Sequence, residues 1–283
     1  MKAVISTTYD DKYLWYLPLT TWLWNKLGVD VICFIPYLKD GVDGYDPDKE
    51  KREKYSLIID TLDGLEIGLQ AAPFLAPEHK EATYSQCARL YAACLYLPED
   101  EVLVTSDIDM GVINFPFAGE IVFGGLIKDR IIVFGGDLVP QGQVPMCYLI
   151  GSVKTWRSQF LLEGYTYQQK LDELLGDIEC ENMRGNYWSK DQQEANRAIV
   201  ESQFDNINVN RAKEGTQFAS HRYDRDDAYI LDRLSPDTID YHMNRPGFED
   251  GNFQIILTIM KYHFPNEDFK WLIDFNEQYK KLL

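Results

Sequence analysis

The chain has 283 residues, 45% of them hydrophobic and 26% charged, with a formal net charge of −17. That length suffices to bury a core in one large domain. The negative sign excludes gripping nucleic-acid backbones over a wide surface, though not holding one nucleotide through a metal and a few basic residues.

In chain order, KAVIST reads as a strand and YLWYLPLTTWLWNKL as one long aromatic-rich helix closed by Gly28. DVICFIP is a second buried strand. Lys39 to Lys54 reads as loop plus a short helix, and SLIIDTL as a strand. From Ser85 a helix is expected, because Cys87, Leu90, Tyr91, Cys94 and Leu95 fall at i, i+3, i+4, i+7 and i+8. VLVT is the next strand. IVFGG and RIIVFGG read as a hairpin joined through Leu126 to Arg130, and VPMCYLIGS as a strand. VKTWRSQFLLEG, YTYQQKLDELLGDIE and KDQQEANRAIVESQF are helices, DAYILDR and TIDYHM short strands, and a terminal helix starts near Gly251.

Alternation of strands and helices predicts an α/β domain with a mainly parallel central sheet flanked by helices. There is no repeat or clear linker, so residues 1–283 are expected to form one domain. The N-terminal apolar stretch is too short for a signal peptide and no run of 18 apolar residues appears, which points to a cytoplasmic protein. Cys33, Cys87, Cys94, Cys147 and Cys180 show no CxxC pairing and read as reduced thiols.

The chemistry concentrates in VLVTSDIDM. Four strand formers run into Asp107 and Asp109, which would point to the same side if the extended conformation continued. Two adjacent carboxylates need a cation between them, or one stays protonated. A DxD that ends a hydrophobic strand behind an amphipathic helix suits a hard divalent cation held against a diphosphate. A phosphatase-like aspartyl nucleophile fits less well, because Gly111 stands where that pattern has Thr or Val. STTYDD and SDIDM both follow strands and so share the carboxyl edge where such sheets bind ligands.

The ordered motifs from about residue 3 to residue 246 resemble those of the GT-A nucleotide-sugar glycosyltransferases, most closely the retaining family that includes glycogenin and bacterial galactosyltransferases. VISTTYDDKYLW is similar to the family's uridine-clasping first loop, which implies nucleotide contacts for Thr7, Thr8 and Tyr13. YSQCARLYAACLYLPEDEVLVTSDIDM resembles the helix, turn and DxD strand, with Arg89 matching a basic residue that reaches the donor. Arg89 lies off the apolar stripe and so need not be buried. Trp156 and Arg157 match a strand-then-WR helix, although the family's Asn and Gly ahead of that strand are absent; Trp156 reads as packing. KDQQEANRAI resembles the DQxxxN helix start, placing Asp191, Gln192 and Asn196 beside the donor sugar.

IDYHMNRPG is similar to the strand end that supplies a third metal ligand, here His242. The family's Lys-Pro comes sooner, as Arg245 and Pro246, which makes Arg245 a weaker diphosphate candidate. The resemblance implies a GT-A domain with a nucleotide-binding half (1–115) and a sugar and acceptor half (116–283). It implies Mn²⁺ or Mg²⁺ on Asp107, Asp109 and His242, a UDP-sugar donor and a glycan or glycoconjugate acceptor, with no nucleic-acid partner. It further implies transfer with retention, Asp191 and Gln192 lying near the reacting carbon.

The residues leave three rival readings. An inverting enzyme would use Asp191 as general base, although an acid at a helix start is expected to have a depressed pKa. A non-catalytic nucleotide- or glycan-binding protein would tolerate loss of Asp191 and Gln192. A sugar-nucleotide pyrophosphorylase needs a glycine-rich loop after the first strand, and STTYDDKY contains no glycine. Tyr187, Trp188, Gly124, Gly125, Gly135 and Gly136 are candidates for shaping an acceptor cleft.

Overall fold

The computed structural model describes residues 1–39, 48–114, 129–134, 142–176, 189–200, 207–209 and 221–283. A seven-stranded sheet forms from β1 (Lys2–Ser6), β2 (Asp30–Pro36), β3 (Leu69–Phe74), β4 (Val102–Thr105), β6 (Ile132–Phe134), β7 (Leu149–Ser152) and β8 (Ile207–Val209), in the order β3-β2-β1-β4-β7-β6-β8. Neighbours pair in parallel except at β7, which runs antiparallel to both β4 and β6. The expected α/β architecture with a mainly parallel sheet is what the chain builds.

Side chains alternate across this sheet, as the pleat requires. Ala3 and Ile5 of β1 join one core, with Val31, Cys33 and Ile35 of β2. That core packs under α1 (Asp11–Leu14), α2 (Leu17–Lys26), α3 (Lys49–Gly64), α8 (Asp250–His263) and α9 (Lys270–Lys280). Val4, Ile32 and Phe34 face the opposite core, under α4 (Glu81–Ala88), α5 (Val153–Gln159), α6 (Tyr167–Leu175) and α7 (Lys190–Val200). Trp156 is packing, as expected: it is fully buried and its indole N–H donates to the Leu90 carbonyl at 2.6 Å.

Several elements differ from the sequence reading. The long first helix is two, α1 and α2, because Pro18 sits in the first turn of a new helix, where its missing N–H costs nothing. SLIIDTL is not a strand but the second half of α3. The short apolar run reads either way in isolation, and Lys54, Ile58 and Leu62 at i, i+4 and i+8 form the buried helical face. The strand at Leu69–Phe74 escaped notice because it lies at the sheet edge, is partly exposed and carries Pro73. The helix from Ser85 starts earlier and tightens into a 3₁₀ turn at Arg89–Cys94. DAYILDR is a turn and a short 3₁₀ segment, Ile230–Arg233, and the C-terminus holds two helices rather than one. IVFGG, the hairpin loop through residue 128, Cys180 and the six acceptor candidates lie outside the described residues.

A second, three-stranded sheet orders β5 (Met110–Val112), β10 (Thr238–His242) and β9 (His221–Asp224) as β5-β10-β9. It stands at the carboxyl edge of the large sheet, because β5 follows β4 by only the turn Ser106–Asp109. That turn is fastened from both sides. The Ser106 N–H donates to the Val4 carbonyl at 3.0 Å, the Thr20 hydroxyl to the Ile108 carbonyl at 2.6 Å, and the Met243 N–H to the Asp109 carbonyl at 2.9 Å. No helix among the described residues is long and apolar enough to cross a membrane.

Thr20→Val keeps the shape of this fully buried side chain and leaves the Ile108 carbonyl unpaired. It is expected to cost about 1–3 kcal/mol in urea unfolding; an unchanged midpoint would remove this bond from the account of the turn. At the end of α8, His263 packs against Tyr223 of β9 with its Nε2 3.1 Å from the phenol oxygen. Burial lowers its pKa from 6.5 to about 4. The unfolded chain therefore binds the extra proton first: this contribution is complete above about pH 6.5 and lost as pH falls towards 4. Urea unfolding from pH 7 to 4 is expected to show a shallower decline for His263→Gln than for the unaltered protein.

Candidate active site

Thr7, Thr8, Tyr13, Arg89, Asp107, Asp109, Asp191, Gln192, His242 and Arg245 all line one cavity of about 260 Å³. Of the residues that the sequence put at the donor site, Asn196 is the one that does not line it. The cavity lies beyond the carboxyl ends of β1 and β4, neighbours whose chain connections leave in opposite directions across the sheet. Such a switch point leaves a crevice in open α/β sheets.

The DxD geometry departs from expectation. The strand does not continue through it: the Met110 N–H donates to the Asp107 carbonyl at 3.2 Å, closing a turn. The two carboxylates consequently face different partners. Asp107 accepts from Arg89 and from the Cys147 thiol, the latter at 2.8 Å. Asp109 is held through its Oδ2 atom alone, by Arg225 at 2.8 Å, Arg245 at 3.1 Å and His242 at 3.4 Å. Burial opposes the charge on Asp109, yet the His242 hydrogen bond and the Arg245 and Arg225 charges outweigh it and hold its pKa at about 2.

Register in the small sheet explains this convergence. His242 pairs with Met110 on one side and Asp224 on the other. Asp109 precedes Met110 and Arg225 follows Asp224, so all three strands deliver a polar side chain to the same edge. The loop after β10 then presses against α1 and α2, where a Cβ on Gly247 would collide with the Trp15 ring. That close approach brings the Arg245 guanidinium over the Tyr13 ring at 5.2 Å, with Nη1 donating to the phenol oxygen at 2.8 Å.

Arg89 is not the surface-facing residue that its place off the apolar stripe allowed. It is 4% exposed and bridges two carboxylates, Asp107 and Asp191, the latter at 3.0 Å. Its Nε donates to the Gln86 carbonyl at 3.3 Å and Nη1 to the Ser106 carbonyl at 2.9 Å. Burial disfavours its charge, but the paired aspartates raise its pKa overall.

Asp191 also corrects an expectation. Its pKa is raised, not depressed: burial dominates over Arg89, and the nearby Asp107 charge adds to it. The helix N-terminus still contributes, since the Gln192 N–H donates to Asp191 Oδ1 at 2.8 Å. Gln192 lines the cavity, and among the described residues its side-chain amide has no hydrogen-bond partner. Trp156, Arg157 and Asn196 do not line it; Arg157 instead binds the carbonyls of Ala93 and Leu95 at 2.8 and 3.2 Å.

Sequence reasoning missed Arg225, along with Ser85, Gln86 and Met146 in the cavity wall. The sole signal for Arg225 is an arginine amid Asp224, Asp226 and Asp227, which reads as a solvated loop. As for a metal, two carboxylates and an imidazole match the donors preferred by Mn²⁺ or Mg²⁺. Asp109 and His242 already face each other, and the Asp107 side chain is 38% exposed towards the cavity. Among the described residues, no three His, Cys, Asp or Glu side chains converge as a ligand cluster; arginines hold both carboxylates instead.

No family model matches the chain, and no curated protein matches it in sequence. Among solved structures, the galactosyltransferase LgtC in complex with donor and acceptor sugar analogs superposes with a TM-score of 0.50 at 12% identity, over 92% of this chain and 95% of that one. The apo form of the glycosyltransferase GlyE from Streptococcus pneumoniae TIGR4 gives 0.49 at 13% identity, over 99% of this chain and 63% of that one. The chain has the GT-A glycosyltransferase fold.

Arg89→Met removes the counter-charge of a buried carboxylate and is expected to destabilise by about 3–5 kcal/mol in urea unfolding. Adding Asp191→Asn should recover part of that loss. A double variant no more stable than Arg89→Met would show that charge compensation is not what Arg89 contributes.

Proposed function

We propose that this chain is a metal-dependent glycosyltransferase that moves a hexose or pentose from a UDP-sugar to a hydroxyl of a glycan or glycoconjugate, with retention of configuration. The observation that carries the reading is the convergence, on one cavity at the sheet's carboxyl edge, of three aspartates, three arginines, His242 and Gln192. We take residues 1–283 as a single GT-A unit with the nucleotide in the half formed by 1–115.

Charge supports a cation. Arg89, Arg225 and Arg245 are matched in number by Asp107, Asp109 and Asp191, so these six side chains offer no net positive charge to a diphosphate. A divalent ion held by Asp107, Asp109 and His242 would supply Lewis-acid stabilisation where charge grows on the leaving group. The chain's own residues do the rest. Thr7 and Thr8 offer hydroxyls, and Tyr13 an aromatic face backed by Arg245, to a base and ribose. Arg245, steadied on the Tyr13 ring, would put positive charge beside the departing phosphates.

Retention is favoured over inversion by the state of Asp191. One oxygen accepts from Arg89 and the other from the Gln192 N–H, and this engagement of both oxygens supports a positioning role for Asp191 over that of a general base. Among the described residues the Gln192 amide has no hydrogen-bond partner, and it lines the cavity, which suits contact with the donor sugar near the reacting carbon.

Thermal unfolding with UDP, MnCl₂ and both together tests the reading. A ligand at about 100 times its Kd stabilises by about 2.7 kcal/mol, which in a chain of this size moves the midpoint by about 5 °C. The shift is expected with UDP and Mn²⁺ together, smaller with GDP and absent in Asp109→Asn. Absence of a shift with any nucleotide would overturn the reading in favour of a glycan-binding protein.

A further inference from the structure

We propose that Arg225 is a diphosphate-binding residue, which the ligand-free protein holds on Asp109 and which is released only when cation and nucleotide arrive together. The inference rests on the glycosyltransferase reading and adds to it a residue and a binding order.

The three cavity arginines differ in how far their donors are committed. A guanidinium has five N–H donors. Arg89 makes hydrogen bonds to Gln86, Ser106, Asp107 and Asp191 and is 4% exposed, so it is a fixed bridge. Arg245 is divided between Asp109 and Tyr13. Arg225 makes one side-chain hydrogen bond among the described residues, to Asp109 Oδ2 at 2.8 Å, and its side chain is 20% exposed. Of the three it has the most unspent donors among the described residues, a single bond to break against two for Arg245. Its backbone is anchored all the same: the Arg225 carbonyl accepts from the Asn244 side chain at 3.4 Å. The side chain can therefore swing without shifting β9.

Asp109 Oδ2 is the atom on which Arg225, Arg245 and His242 converge. A divalent cation approaching that oxygen meets a guanidinium already there. Displacing Arg225 into the cavity with no anion to receive it discards a charge-assisted hydrogen bond. Drawing Arg225 onto a diphosphate without a cation leaves a buried carboxylate short of counter-charge, which is costly. Each half of the exchange is unfavourable alone, and together they compensate. Cation and diphosphate thus bind with positive coupling, and by linkage each tightens the other by the same factor.

Titration calorimetry with MnCl₂ and UDP on the intact chain tests this, using Arg225→Met, which removes the charge and keeps much of the stem, and Arg225→Lys, which keeps the charge. In the unaltered protein, saturating UDP should tighten Mn²⁺ binding by about tenfold or more. In Arg225→Met, Mn²⁺ alone should bind about tenfold tighter than to the unaltered protein, while UDP in the presence of Mn²⁺ binds about tenfold weaker. Arg225→Lys should lie between the two. The opposite signs are diagnostic: a merely structural role would weaken both ligands or neither, and either result overturns the inference. Unaltered protein that binds UDP with Mn²⁺, but with the same constants in both variants, sinks the role of Arg225 and spares the glycosyltransferase reading. Unaltered protein that binds UDP under no condition overturns both.

Discussion

A carboxylate removed from water must find positive charge, and the carboxyl edge of this sheet holds two that are almost wholly buried, Asp109 and Asp191. Much of the surrounding architecture serves that requirement. Arg89, at the start of a 3₁₀ turn, reaches across to join Asp191 to Asp107 and so ties α7 to the turn after β4. Asp109 is neutralised from the other side by the small sheet, whose three strands end in register. The large sheet supplies the platform, but the acids themselves dictate which other elements must come to it.

This division gives the cavity two kinds of cation. Arg89 is deep and commits four hydrogen bonds to protein acceptors, so its contribution is to shape and stability. Arg225 and Arg245 reach in from the later part of the chain, less buried and less fully bonded. Under the proposed glycosyl transfer, fixed charge on one wall and less committed charge on the other would hold a reacting group still and then let an anion go.

Much of this was legible in the residues. The DxD after a strand, the hydroxyl-rich loop after β1, and Asp191 with Gln192 at a helix start all reached the same cavity. What failed to show was whatever depends on partners distant in the chain. SLIIDTL carries no sign of its own that it packs as the face of α3. The divergence of Asp107 and Asp109 comes from a turn closed by Met110 and fastened by Thr20 and Met243, none of which marks itself as a fastener. Arg225 looks like a surface arginine until β9 is placed beside β10. The raised pKa of Asp191 follows from burial, a property no helix-start rule contains.

The separation along the chain between Asp109 and its counter-charges has a consequence for biosynthesis. Asp107 meets Arg89, which is already made when Asp107 emerges, whereas Asp109 waits for Arg225, His242 and Arg245. A growing chain can make β1 to β4 with α1 to α4 while Asp109 remains in water, and α8 and α9, which complete the cover of one face, come later than all three counter-charges. The pocket acquires its working electrostatics only when the final strand crosses beside β5. A nascent chain stalled before residue 225 would carry the acidic motif without the charges that neutralise Asp109.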